Sequence, residues 1–398
     1  MKKALLSFIT LSLLSLGLQA QVNDKKSNEG FQFTVVKENP ITSVKNQSNT
    51  GTCWCFSSLG FMESELLRMG KGEYDLSEMF IVSGTYQEKA DRYVRLDGHL
   101  NFGQGGGFDD YLYIIKKYGI VPDEVMPGLN YGEDMHMHGE LAAVLKGIVD
   151  GVNRNPNRKL STAWKKAFRG ALDAYLGEMP KTFTYKGKEY TPKSFAASLG
   201  FNPDDYVNIT SYTHHPFYTQ FALEISDNWL WGQYWNVPID EMMEVIDNAI
   251  MNGYTVLWAS DVSEMGFGRT GVAMFPTTEP SEMVGSDQAR WLQMSPAERS
   301  NAFRNLTGPV AEIKEVTQEM RQIAYDNKQT TDDHGMQIYG IAKDQNGTKY
   351  YMVKNSWGET GNYKGLWYVS ETFVKYKTMD IQVHKNAIPK AIRKKINL

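Results

Sequence analysis

From Cys53 to Met69 the apolar residues Leu59, Met62, Leu66 and Met69 recur at three- and four-residue spacing. That period predicts an amphipathic helix, and Gly70 and Gly72 stop it. Upstream, Phe31 to Val36 alternates like a short strand, and Ile41 to Thr52 is a polar loop rich in Asn, Ser, Thr and Gly. Ser77 followed by Glu78 opens a second helical stretch through Val82. Gly103 to Gly107 is a glycine-rich turn that leads into a helical period from Phe108 to Tyr118. The middle of the chain is broken by turn signals, Met126-Pro127-Gly128 and Asn155-Pro156, and carries basic helical runs such as Ala163 to Tyr175. Lys186-Gly187-Lys188 fits a hairpin turn. Val237 to Met251 predicts a further helix, with Pro238 near its start and Asn252-Gly253 at its end, and Tyr254 to Ser260 reads as a buried strand. The last third turns to strands: Met336 to Lys343, Lys349 to Lys354 and Gly365 to Ser370, with Asp344 to Gly347 joining the first two. A helix-rich front and a strand-rich back predict an α+β fold.

The start of the chain has its own pattern. Lys2-Lys3 precede an apolar and hydroxyl run from Ala4 to Leu18, and Ala20 offers a small residue for cleavage before Gln21. This is the layout of a secretory signal peptide, and the run is short for a membrane span. The expected organisation is a signal peptide over 1–20, a helical lobe with the nucleophile helix over 21–124, a mainly helical insertion over 125–250, and a strand-rich lobe over 251–398. Residues Gln21 to Glu29 are polar and read as a disordered mature terminus. The mature chain is thus expected in the periplasm or outside the cell, with no later membrane span.

Composition narrows the function classes only a little. The 398 residues are 41% hydrophobic and 22% charged, with a net charge of −4. A chain of this weak acidity has no electrostatic reason to bind nucleic acid or an anionic membrane. Cysteine usage says more. Export usually goes with disulfides, yet the only cysteines are Cys53 and Cys55. Two positions apart at a helix start, their side chains diverge and no bridge is expected. Cys55 is expected to pack inward as a small hydrophobe.

Cys53 sits where a polar loop meets a helix, and a helix N-terminus favours a thiolate through its unpaired N–H groups and dipole. Gln47, in the loop before it, carries an amide N–H that with the Cys53 backbone N–H would hold an oxyanion. His334 opens a strand after a polar loop, placed to exchange a proton with a thiol. Asn355 ends the strand that pairs with the one His334 begins, so its side-chain oxygen can orient the imidazole, and Trp357 can cover that bond from water. His136-Met137-His138 and His214-His215 are the candidate metal pairs, but neither has a third ligand at good spacing, so no metal or other cofactor is expected.

Taken together, Gln47, then Cys53-Trp54, then His334-Gly335, then Asn355-Ser356-Trp357-Gly358 resembles, in that order, the papain superfamily of cysteine peptidases. A second Cys before the nucleophile is replaced here by Gly51-Thr52, and 281 residues separate Cys53 from His334, against roughly 130–150 in papain. Both departures match the bleomycin hydrolase and aminopeptidase C branch, which has a long helical insertion. The resemblance implies a two-lobed papain-like fold, thiolate attack on peptide bonds with an acyl-enzyme, and substrate-binding roles for Gly105, Gly106 and Trp357. In the superfamily a Gly-Gly turn binds the extended substrate backbone, and bare glycine lets a peptide come close.

In that branch a C-terminal arm lies in the cleft and its carboxylate meets the substrate amine, which makes the enzyme an aminopeptidase. The tail here, Ala391 to Leu398, is short and basic and unlike such an arm. Aminopeptidase action on peptide substrates is the expectation. The alternatives are an endopeptidase with an open cleft and a non-catalytic peptide-binding relative. The resemblance also implies a hexamer, and the altered tail bears on that assembly too. With no evident inhibitory propeptide, the mature chain is expected to be active as exported.

Overall fold

The computed structural model describes residues 30–156, 158–279 and 292–398. The signal-peptide and mature-terminus expectations for residues 1–29 therefore lie outside the described residues. Among these residues no helix is long and apolar enough to cross a membrane.

The predicted nucleophile helix is present as α1, Cys53–Arg68. Thirteen of its sixteen residues are buried, so it is the interior helix of the molecule. The second helix, α2 (Glu78–Arg95), is longer than the sequence pattern suggested. Tyr86, Ala90, Tyr93 and Val94 continue the buried face beyond Val82, but the intervening Glu88, Lys89, Asp91 and Arg92 disguise it. Ser77 caps α2, its hydroxyl accepting the Phe80 N–H at 3.0 Å. With α3 (Asp109–Tyr118), α4 (Gly139–Asn153), α5 (Ala163–Leu176) and α6 (Pro192–Leu199) these helices share one apolar core.

The other half is built on a sheet of ten strands. They are β1 (Thr34–Glu38), β4 (Tyr206–Thr210), β5 (Gln220–Ala222), β6 (Gln233–Asn236), β7 (Val256–Ser260), β8 (Val272–Ala273), β9 (His334–Lys343), β10 (Lys349–Lys354), β11 (Leu366–Ser370) and β12 (Thr378–His384). Their order is β5-β6-β4-β12-β7-β9-β10-β11-β8, with β1 alongside β9. The short hairpin β2 (Phe183–Tyr185) and β3 (Lys188–Tyr190) turns at Lys186-Gly187, both with positive φ, as predicted. Helix α1 crosses one face of the sheet at β7 and β9, while α7 (Ile239–Met251) covers the opposite face under a second apolar core.

Two features depart from the sequence reading. The stretch expected to be mainly helical, 125–250, also supplies β4, β5 and β6 to the sheet. Strand β12 was not anticipated, because Asp380, Gln382 and His384 interrupt its apolar residues. All seven of its residues are nevertheless buried, and it sits between β4 and β7. Its polar residues are satisfied where they can be: Gln382 donates to Asn208 and Phe108, and Tyr111 donates to Gln382. The chain's tail forms a last helix, Lys390–Lys395, with Ile392 and Ile396 sunk into the core beneath α7.

Candidate active site

Strand β9 reaches α1 because Gly335 has no side chain. A Cβ there would lie 2.8 Å from Ser57 Oγ and 3.3 Å from Trp54 Cα, so any larger residue would push the strand off the helix. This close approach brings His334 and Cys53 onto one cleft, together with Gly51, Trp54, Gly105, Gly106, Gly107 and four aspartates. The cleft has a volume of about 220 Å³.

The imidazole is fixed on its far side. His334 Nε2 lies 2.7 Å from Asn355 Oδ1, and the same oxygen accepts the Ser356 backbone N–H at 2.7 Å. The Ser356 amide can only donate, so that atom is the amide oxygen and Nε2 carries the proton. Nδ1 is left with its lone pair as the proton acceptor. The Trp357 ring stacks on the imidazole, with centroids 4.7 Å apart, and shields this bond. Trp357 does not itself line the cavity; it leans on Phe267 and Trp367.

Cys53 is the first residue of α1 and is partly exposed. Burial pushes its thiol up to about 11, opposed by the backbone N–H groups of Gly335 and Trp54. Burial also lowers His334 to about 4, opposed by Asn355 and Asp333. The sequence reading expected the helix terminus to lower the thiol, but in the closed cleft desolvation outweighs it. A lone thiolate or a lone imidazolium is thus suppressed. Cys55 is fully buried and donates to the Glu78 carbonyl at 3.4 Å, as expected of a packing residue.

Gln47 is buried in the loop before α1. Its Oε1 accepts from Ser356 Oγ at 2.6 Å and its backbone N–H donates to the Ser356 carbonyl at 2.8 Å. The loop and the Asn355 segment are therefore laced together. Gln47 Nε2 donates one hydrogen to the Thr50 carbonyl at 2.8 Å, which leaves its second hydrogen for another acceptor. Gln47 is not part of the cavity lining.

Gly105 and Gly106 line the cleft, and the walls crowd both. A Cβ on Gly106 would meet Asp110 Oδ2 at 2.5 Å and the Trp54 indole at 2.8 Å, and one on Gly105 would meet Asp227 Oδ2 at 1.9 Å. The sequence reading missed what holds this turn. Gln104 accepts the Trp54 indole N–H on its carbonyl at 2.9 Å and the Gly51 N–H on its side chain at 2.8 Å. Beneath it the buried Lys89 donates to the Gly103 and Gly105 carbonyls. Asp110 lies close by and takes the Trp229 indole N–H at 2.6 Å. Burial pushes Asp110 up to about 8, with Lys89 opposing. Lys89→Met should therefore cost about 3 kcal/mol of stability, because it leaves two carbonyls without their donor and removes the charge that opposes the burial of Asp110. Urea denaturation of the variant measures this, and a midpoint equal to wild type would refute the role given to Lys89.

Of the histidine pairs, His214 and His215 each place Nε2 2.9 Å from an oxygen of Glu224. These three are exposed or half-buried and satisfy one another. His138 is fully buried beside His136, in a segment that pairs with Asn49 of the nucleophile loop.

A profile of the Peptidase C1-like family matches residues 7–302 and 310–398. The chain belongs to the Peptidase C1-like family. It is a cysteine-type peptidase with the papain-like α+β fold, in the branch that its motifs pointed to. Aminopeptidase G of Lactobacillus delbrueckii subsp. lactis is 23% identical to the peptidase, over 89% of this chain and 83% of that one. Aminopeptidase C of Listeria monocytogenes is also 23% identical, over 97% of this chain and 90% of its own length. Among solved structures, pepw from Lactobacillus rhamnosis aligns over 92% of this chain and 84% of that one, with a TM-score of 0.67 at 20% identity. That likeness is one of fold.

Proposed function

We propose that this peptidase is an exported cysteine aminopeptidase, with Cys53 as nucleophile, His334 as base and then acid, and Asn355 as the group that orients the imidazole. The observation that carries the reading is the Nε2 bond to Asn355, which leaves Nδ1 as the base on a cleft shared with Cys53. In the proposed cycle His334 Nδ1 takes the Cys53 proton and the sulfur attacks the scissile carbonyl carbon. The Cys53 N–H and the free Gln47 amide hydrogen stabilise the oxyanion. The imidazolium then protonates the leaving amine, and water hydrolyses the thioester with His334 again as base. Gly105 and Gly106 bind the substrate backbone in this reading. The names of the relatives favour removal of N-terminal residues. The basic start and short apolar run of residues 1–20 support export to the periplasm or beyond.

A second reading, an endopeptidase, is favoured by one feature. Among the described residues none after Asp380 lines the cleft, and the tail helix is engaged in the core. Peptides with free and acetylated N-termini, incubated under reducing conditions with the chain from Gln21 onward, separate the two. The expected result is release of N-terminal residues from the free peptides alone, with no prior trimming of the protein. Internal cleavage of the acetylated peptides, or a need for trimming, would count against this function.

A further inference from the structure

The cleft has an unbalanced charge. Its lining includes Asp227, Asp332, Asp333 and Asp380, and no lysine or arginine. Two of these carboxylates have their partners: Asp333 accepts from Thr331 Oγ1 and the Ser263 N–H, and Asp227 accepts from Asn101. The other two do not. Asp380 is 2% exposed and its Oδ1 is buried without any hydrogen bond. Arg321, whose charge acts on it, donates instead to the Ser211, Tyr376 and Met379 carbonyls. Burial and the neighbouring Asp227 and Asp333 push Asp332 up to about 7, and no hydrogen bond offsets them. A buried carboxylate lacking donors is costly to keep, so the site is built for something that arrives.

The sheet shows where that something sits. Across β12, β7 and β9 the residues Asp380, Ala259 and Gly335 stand opposite one another in a single row. A register shift in β12 at Met379, between Thr378 and Asp380, sets Asp380 in that row. With strands about 4.8 Å apart, Asp380 stands about 10 Å from Gly335. Ala259 between them and Gly335 itself are both small, which leaves the floor open from the nucleophile to the carboxylates. Asp227 closes the opposite wall against Gly105.

We propose that Asp332 and Asp380, with Asp227 facing them, form the subsite that binds the N-terminal ammonium of the peptide substrate. An ammonium brings three N–H donors and the positive charge that this end of the cleft lacks. The subsite rests on the aminopeptidase reading for its use, but not for its chemistry. Side chains of β12, of the loop before β9 and of the segment that carries Asp227 then measure the distance from the substrate amine to the bond that is cut.

The test follows protection of Cys53 from iodoacetamide, which needs no turnover. Leucinamide and N-acetyl-leucinamide are compared on wild type, Asp380→Asn and Asp332→Asn. Wild type should be protected at lower concentrations of leucinamide than of the acetylated compound. Each variant should lose at least tenfold of that preference, read as the ratio of the two protective concentrations so that a change in the alkylation rate itself does not enter. The less buried Asp332→Asn keeps the test informative if Asp380→Asn does not fold. Equal loss for both compounds, or no loss, would overturn the proposal. So would variants whose only defect is with acetylated peptides carrying arginine before the cut, since the pocket would then hold a basic side chain. If the preference appears but wild type removes no N-terminal residue, the aminopeptidase reading fails and the ammonium subsite stands.

Discussion

Cys53→Ala is expected to lower kcat/KM on free-amine peptides by about 10⁴-fold or more, because no other group on the cleft can form the acyl-enzyme. Cys55 cannot stand in for it. Its thiol is fully buried and directed at the Glu78 carbonyl, with burial holding it well above its ordinary range. Intact-mass analysis of the native protein after iodoacetamide should accordingly show one adduct, absent from Cys53→Ala. Thermal unfolding of the variant should stay near wild type, since Cys53 is a partly exposed residue at the helix start and alanine suits that position. A variant that keeps its turnover would remove Cys53 from the mechanism, and with it the assigned roles of His334 and Asn355.

The second large effect concerns Gln47. Its replacement by alanine should lower kcat by about 10²–10³-fold with little change in KM, the size seen when one oxyanion donor is lost. Alanine also removes the acceptor for Ser356 Oγ, so part of the loss would come from a loosened Asn355 segment. Gln47→Glu separates the two causes. It keeps an oxygen for Ser356 but replaces the amide donor with an acceptor. If the glutamate variant is as slow as the alanine variant, the donor is what matters. If the glutamate variant matches wild type, the residue serves only to hold the loop.

How legible the protein was in its sequence depended on whether a signal was local. Helix α1 could be read because Leu59, Met62 and Leu66 mark its period and glycines end it. The hairpin at Lys186-Gly187 and the pairing of β9 with β10 were written in short turns. Cys53, His334 and Asn355 stood out as candidates because each lies at a boundary between a loop and a regular element, and the structure brings the first two onto one cleft with Asn355 bonded to the imidazole. Long-range features were hidden. Asp227 occupies a segment with no period, and only the folded chain shows it against Gly105. Asp380 carries no strand signal in the sequence, since the polar residues of β12 face Tyr111, Asn208 and the cleft rather than water. The thiol shift could not be read at all: it depends on how completely β9 and the glycine turn close over the helix terminus.

Strand β12 bears on how the molecule comes into being. Among the described residues it is the only strand that links β5, β6 and β4 to the other half of the sheet, and it comes more than 300 residues after the nucleophile. Synthesis runs from the N-terminus, so the nucleophile and the glycine turn exist long before the strand that joins the two halves. Contacts this distant in sequence form late because closing the long loop is entropically costly. A chain stopped before Thr378 lacks this seam, and with it the strand that carries Asp380 to the cleft.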